Sequence, residues 1–495
     1  MRATITAIMV AAAFGGLVRA LPAQQAGAPR TLTLEEALGL AVPASPSLEL
    51  AKAAVLRARG DQYRARSEWY PQLNASLYFS RLLRSQFEGF SFGGDSDSTG
   101  GDDGSGTDAL PFGRKNTYGL GLSLSQSLFA GGRIAGQSQA AAAGRRTADL
   151  GMRSAAAQLT LDVVQAYYGA IASDYQVLIA ESALAQAEST LKQTEQRRAV
   201  GAQPEFDVLR ARVARDNQRT NAIVRQADRE VAYVQLKQLL DLPVDVPLTL
   251  QMNLVDTTFG DTPTLAQLVK KPVDTSIDNR LAVRQASEAV VAQEGLLKAA
   301  RSQHYPQLLL TSDYGNVGYP ANLSPTNPTY FTNWNVGLGI QLPIFTGGRI
   351  KGDKLAAEAG LSEARARRLQ AERYARVDAR SALASLDASQ AAWESSDGTV
   401  REAQRAYEIA DLRFREGLST QTELLDARLA LQTAESVRVE AARALLIARV
   451  RVALLDELPL GNGASPASQA PQMTTAAPRR QTTAQTALPG TGTTP

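Results

Sequence analysis

Two proline-free runs dominate the chain, at residues 133–200 and 349–416. At 1.5 Å rise per residue, each predicts a helix about 100 Å long, where the average globular helix has about 11–12 residues. In the first run Leu161, Val164, Tyr168, Ile171, Tyr175 and Leu178 step alternately by three and four. That is the a/d seam of a left-handed coiled coil. In the second run Arg380, Asp387 and Glu394 hold the corresponding positions, which predicts a different wet face. Shorter partner helices are predicted over Leu48–Trp69, Glu205–Leu239, Asn279–His304 and Thr422–Leu455, stacked end to end along the long ones. Pro43 and Pro46 interrupt the region before one of these, and Asp241-Leu242 with Pro243 and Pro247 ends another. Packed rods of this length predict an elongated cylinder or bundle.

A second periodicity appears beside each long run. Leu73, Ala75, Leu77 and Phe79 alternate with Asn74, Ser76, Tyr78 and Ser80, while Leu120, Leu122 and Leu124 alternate with glycine and serine. Trp334, Val336, Leu338, Ile340, Leu342 and Ile344 alternate with small or polar residues. These patterns predict strands at about 72–84, 116–129, 307–314 and 334–345. Aliphatics on one face over roughly ten residues fit tilted strands of an outer-membrane barrel; a soluble hairpin with one buried face is the alternative. Pro71, Pro306 and the glycine pairs Gly131-Gly132 and Gly347-Gly348 mark the strand–helix junctions. The hairpin tips are polar. Residues 90–113 are rich in Gly, Ser and Asp (Asp95, Asp97, Asp102 and Asp103 among them), and 315–333 are rich in Pro and Asn. The acidic tip lacks the spacing of an EF-hand loop and reads as a solvated loop.

The two halves repeat one another. Tyr70-Pro71-Gln72-Leu73 recurs as Tyr305-Pro306-Gln307-Leu308, and Phe129-Ala130-Gly131-Gly132-Arg133-Ile134 as Phe345-Thr346-Gly347-Gly348-Arg349-Ile350. Gly201 with Asp207, Leu209, Ala211 and Arg212 recurs as Gly417 with Glu423, Leu425, Ala427 and Arg428. The wider separation of the Tyr-Pro motifs places an insertion between Tyr70 and Phe129 of the first copy. A period this long is a duplicated domain, not a solenoid repeat. Residues 31–262 form the first copy and 263–459 the second, and each has one hairpin and one long helix.

Composition narrows the chemistry. The 495 residues include no cysteine and one histidine, His304. Disulfides, cysteine-rich metal sites, thiol nucleophiles and histidine-dependent triads are therefore excluded, unless His304 acts alone. His304 stands beside Tyr305 at a helix–strand junction, matching Trp69 in the first copy, so an interface residue is the expectation. There is no Walker loop and no HExxH motif. No enzyme, cofactor or metal is expected. Basic and acidic residues nearly cancel, 52 against 49, which gives little reason to expect nucleic acid. Met1 and Arg2 precede an apolar run from Ile5 to Val18 with Ala20 and Ala23 behind it. Residues 1–20 thus read as a secretory signal peptide, cleaved after Ala20 or, failing that, Ala23. Beyond it nothing approaches 18 consecutive apolar residues, so membrane insertion must use strands in a closed barrel. Two hairpins cannot close one, since the smallest single-chain barrels use about eight strands; subunits must pool theirs as dimer, trimer or tetramer. The tail at 460–495 is mostly Ala, Thr, Gln, Pro and Gly and reads as a disordered extension.

The repeated Tyr-Pro-Gln-Leu, the paired Phe-x-Gly-Gly-Arg junctions and Gly-Leu-Ser-Thr-Gln-Thr-Glu-Leu-Leu-Asp-Ala-Arg at Gly417–Arg428 together resemble TolC-type outer-membrane efflux proteins. The resemblance runs from about Leu32 to Leu458. It implies a mainly helical homotrimer in which a twelve-stranded β-barrel continues into a twelve-helix periplasmic α-barrel. Twelve helices about 10 Å apart give a ring roughly 38 Å across. The function implied is a passive exit duct in the outer membrane, set in lipid and fed by a periplasmic adaptor and an inner-membrane pump. A secreted periplasmic coiled-coil adaptor or structural protein without a pore is the competing reading. By the same resemblance the turns at Gly201 and Gly417 form a gated periplasmic tip. Phe414 sits where a gate tyrosine is found, Asp207 matches an acidic partner, and Glu423 and Asp426 resemble the acidic pair that narrows the pore. Their i, i+3 spacing puts both on one helical face, so three copies would stack two carboxylate rings in a cation-selective throat. A solvated helix start is the plainer reading of that pair. Ser419 stands where the family's gate arginine is expected, which leaves either Arg210 or Arg415 as a substitute or a weaker lock.

Overall fold

The computed structural model describes residues 30–84, 116–251, 254, 263–270, 275–320 and 330–460. The signal segment at 1–20, the acidic tip at 90–113, the centre of the second tip and the tail beyond Leu460 lie outside the described residues. Both proline-free runs are single helices, α3 (Arg133–Ala199) and α7 (Arg349–Arg415), each of 67 residues. Each starts behind two glycines in the left-handed region, with φ of 60° and 98° at Gly131 and Gly132 and of 58° and 89° at Gly347 and Gly348. Each ends at a left-handed glycine, Gly201 or Gly417. There the N–H of Ala202 reaches the Arg197 carbonyl (2.8 Å) and that of Leu418 the Arg413 carbonyl (2.8 Å). These are Schellman turns, which satisfy carbonyls the helix leaves open.

The chain forms two units. One comprises residues up to Arg57, Gly151–Thr275 and Ser381–Asp456. It holds helices α1 (Leu34–Ala44), α4 (Glu205–Leu239), α5 (Pro263–Lys270) and α8 (Gln421–Ala453), the start of α2 (Pro46–Ser67), and parts of α3 and α7. Strand β1 (Arg30–Leu32) pairs in parallel with β4 (Leu248–Leu250). Neither three-residue strand is long enough to show a period. Pro43 lies inside α1, while Pro46 opens α2, the helix-start position that proline tolerates because its N–H would be unpaired there. Thr33 caps α1 through a box with Glu36 (3.3 and 3.2 Å).

The heptad seam predicted for α3 holds only in part. Leu161, Val164, Tyr168 and Ile171 are buried, but Tyr175 is half-buried and Leu178 is 52% exposed. The buried stripe passes instead through Leu161, Ala172, Ala183 and Thr194, an eleven-residue spacing. A helix not wound left-handed drifts off a strict heptad by about 20° per repeat, so the seam moves onto small residues. On α7, Arg380, Asp387 and Glu394 are exposed, which agrees with the wet face predicted there.

The other unit comprises Ala58–Leu150, Ser276–Arg380 and the residues from Glu457 on. It contains α6 (Leu281–Ser302) and a four-stranded antiparallel sheet of order β2-β3-β5-β6. The strands are β2 (Gln72–Arg81), β3 (Asn116–Phe129), β5 (Gln307–Gly318) and β6 (Tyr330–Gln341). Strand β3 matches expectation, β2 is shorter and β5 longer. Strand β6 lies four residues earlier than predicted. Its ladder with β5 ends at the Gln307–Gln341 pair; Pro343 beyond it has no N–H to extend a ladder. Leu460, expected in the loose tail, packs instead with Val283, Ala286, Ala371 and Ala375.

Register turns sequence alternation into two faces. Leu73, Leu124, Ser312 and Val336 form one row, Ala75, Leu122, Tyr314 and Trp334 the next, and Leu310 pairs with Leu338. The opposite face carries Ser76, Gly121, Gly315 and Asn333. The apolar face is open: Leu77 is 80% and Ile340 73% exposed.

Candidate functional site

The ends of the two helical hairpins, α3–α4 around Gly201 and α7–α8 around Gly417, bring the predicted gate residues together within the first unit. Thr420 caps α8, its hydroxyl accepting from the Glu423 N–H (3.3 Å). Pro204 starts α4 without a side-chain cap. Leu191, Val208 and Ala211 form a buried apolar cluster, and Leu424 is fully buried.

Phe414 stands apart from the role expected of it. Its ring is only 1% exposed, and it carries no hydroxyl for a polar lock. The Arg197 guanidinium lies 5.1 Å from the ring centroid and donates to the carbonyls of Phe414 (3.0 Å) and Arg415 (2.6 Å). Asp207 is half-buried on α4. With its amide turned to satisfy both groups, buried Gln421 donates to the Asp207 carbonyl (3.1 Å) and accepts from the Ala211 N–H (3.2 Å). Glu423 and Asp426 are exposed on α8. Among the described residues neither carboxylate enters an ion pair.

The two substitutes for the missing arginine differ. Arg210 crosses to Thr422 Oγ1 (2.6 Å). Arg415 stays on its own helix with Asp411 (2.5 Å). Ser419 Oγ is buried without a hydrogen-bond partner. Two further arginines were not anticipated. One is Arg197; the other is Arg428, 4% exposed, which donates to Thr190 Oγ1 (3.0 Å) with its Nε and Nη1 unpartnered. Arg197 and Arg198 form a basic pair in the last turn of α3, which by itself reads only as complementing that helix's dipole. Their separate destinations are tertiary facts.

Farther along the same coils, α4 is held to α3 by Asp174, which pairs with Arg229 and accepts from the Tyr233 hydroxyl (2.6 Å). Burial pushes the Tyr233 hydroxyl pKa up. Asp397 of α7 pairs with Arg438 of α8, and this hydrogen bond holds its carboxyl below the usual range.

The strand–helix junctions obey the repeat. Arg133 reaches back to Glu68 (2.7 Å) ahead of β2, and Arg349 to Gln303 (2.9 Å) ahead of β5. A Cβ at Gly131 would lie 2.7 Å from that of Tyr305. Pro71 and Pro306 are the residues next to β2 and β5. Among the described residues no helix is long and apolar enough to cross a membrane.

Comparison with known proteins covers both repeats. A family model described as outer membrane efflux protein matches residues 37–241 and 273–456. The pyoverdine export outer membrane protein OpmQ of Pseudomonas aeruginosa is 26% identical over 432 residues, 86% of this chain and 84% of that protein. Among solved structures, that of CusC, from work on folding and transmembrane channel formation, matches with a TM-score of 0.69 at 20% identity, over 86% of this chain and 92% of that one. The CmeC outer membrane channel of Campylobacter jejuni matches with a TM-score of 0.68 at 19% identity, over 87% of each chain.

Proposed function

The chain belongs to the outer membrane efflux protein family, and from that premise we propose that three copies pool their strands into one closed barrel and form a passive exit duct. The observation that carries this reading is the four-stranded sheet with an open aliphatic face. Among the described residues its outer strands β2 and β6 are each paired on one side only. Unpaired backbone groups cannot remain in hydrocarbon. Pairing β6 of one copy with β2 of the next satisfies both edges and turns the aliphatic rows toward lipid. Three copies give twelve strands, within the even-numbered range of outer-membrane barrels; the choice of three rests on the resemblance to TolC-type channels.

The hairpin ends then form the inner mouth. Glu423 and Asp426, unpaired and one turn apart, become two stacked rings of three carboxylates and favour cations in the throat. Phe414 packs the mouth from within and takes no part in a polar lock, while Asp207 contributes its carbonyl to the contact with Gln421. Val200, Phe206 and Leu418 are 80%, 69% and 71% exposed. Apolar groups at helix ends that face water suit docking of a periplasmic adaptor, with an inner-membrane pump supplying cargo through it.

Purified protein in planar lipid bilayers tests the duct. The expected result is detergent-dependent trimers that form cation-selective pores. Glu423→Gln with Asp426→Asn should reduce that selectivity and the block by multivalent cations. Selectivity and block both unchanged would remove the rings; a water-soluble monomer without conductance would remove the duct.

A further inference from the structure

Resting on the reading of these helix ends as the gated mouth, we propose that Arg197 is the positioning residue that holds the two hairpins of one subunit together, and that it grips neutral acceptors instead of a carboxylate. The last carbonyls of a helix have no N–H of their own helix to accept from. At the end of α7, the Leu412 carbonyl takes the Glu416 N–H, that of Arg413 the Leu418 N–H and that of Phe414 the Gly417 N–H. Arg197 adds a second donor to Phe414 and supplies one to Arg415. Its planar fork meets two consecutive carbonyls at once, a geometry that lysine's single ammonium cannot copy. The Phe414 ring supplies a face for the cation.

Position adds to the argument. Arg197 lies in the last turn of α3, so one guanidinium stands at the negative ends of two helix dipoles from two different hairpins. The residue at the matching place in the second repeat, Arg413, is exposed. The grip therefore runs one way, from the first hairpin onto the second. Arg210 to Thr422 and Gln421 to α4 also cross between the hairpins, joining α4 to the start of α8, and Arg428 of α8 reaches Thr190 of α3. None of these three engages the last carbonyls of α7, which Arg197 takes. Any opening that swings α7–α8 away from α3–α4 must break both carbonyl bonds. Ser419 takes no part in that grip. In this chain the cation sits instead on the opposite hairpin.

The test is single-channel recording of the full-length protein in planar bilayers, with melting of each detergent-solubilised variant as a check on folding. Arg197→Ala should raise the time-averaged current about tenfold or more, the factor carried by a charge-assisted hydrogen bond. Arg197→Lys should fall between it and the parent, as should Phe414→Leu, which keeps the carbonyl and loses the ring. Arg198→Ala, which removes a surface pair with Glu205 (3.4 Å), should match the parent. If Arg197→Ala misfolds, the lysine and leucine variants decide by the same readout. Parent-like or smaller currents in the Arg197 variants, over a parent that does form pores, would overturn the latch alone. A parent without pores would overturn the duct reading and the latch with it.

Discussion

Gly295→Ala sets helix propensity against packing. Gly295 is buried in α6. Replacing glycine with alanine inside a helix stabilises by about 1 kcal/mol when nothing obstructs the methyl group. Here a Cβ would lie 2.5 Å from the Gly136 carbonyl oxygen and 2.8 Å from the Ala140 nitrogen, both on α3. The reciprocal contact is equally short, 2.4 Å from a Cβ at Gly136 to the Gly295 oxygen. Van der Waals separation requires the two backbones to part by roughly 0.8 Å at the crossing. Overpacking of this kind costs about 1–3 kcal/mol, and backbone obstruction places it at the upper end because no rotamer can yield. Packing wins, for a net loss of about 1–2 kcal/mol. Gly144, also on α3, has nothing within 4 Å of its Cβ, so Gly144→Ala should be stabilising by up to about 1 kcal/mol. Urea unfolding in detergent, followed by far-ultraviolet circular dichroism, reads both variants. Equal stabilisation by the two would refute the close crossing of α3 and α6. The crossing matters for the duct because Gly136 lies in the first turn of α3, directly behind the junction that places β3.

Two further sites probe buried charge. The Arg280 guanidinium is 1% exposed and donates from Nη2 to Asp378 (2.5 Å), while its Nε and Nη1 have no partner. Asp378→Ala should cost about 3–5 kcal/mol by leaving a buried cation uncompensated, whereas Arg280→Met with Asp378→Leu should be near neutral; equal losses in unfolding experiments would contradict this. Glu435 on α8 has its pKa raised by burial, so the fold favours its protonated form. That contribution is present below the usual carboxylate range and lost as pH rises through the folded-state pKa. Glu435→Gln should therefore raise the melting temperature at pH 7, and the gain should vanish on acidification; a gain independent of pH would refute it.

Local pattern located most of the elements. The ends of α3 and α7 follow from glycine pairs, left-handed glycines and the absence of proline. The bounds of β3 and α4 and the alternation of the sheet were legible for the same reason, because backbone conformation and side-chain period are set by near neighbours. Strand β6 was misplaced because alternation continues through Leu342 and Ile344, while a ladder needs N–H groups that proline lacks. Strands β1 and β4 are too short to carry a period at all.

At the site the division is sharper. Chain alone marks the turns at Gly201 and Gly417 and the acidic pair Glu423 and Asp426, whose spacing is a property of one helix. It does not show that Phe414 is buried, that Arg197 leaves its own helix for the carbonyls of another, or that the stripe on α3 follows eleven residues in place of seven. Those outcomes depend on which helix lies alongside and at what angle. The order of residues sets how each rod and strand is built. Packing between segments far apart in the chain decides which face is covered and which cation meets which acceptor.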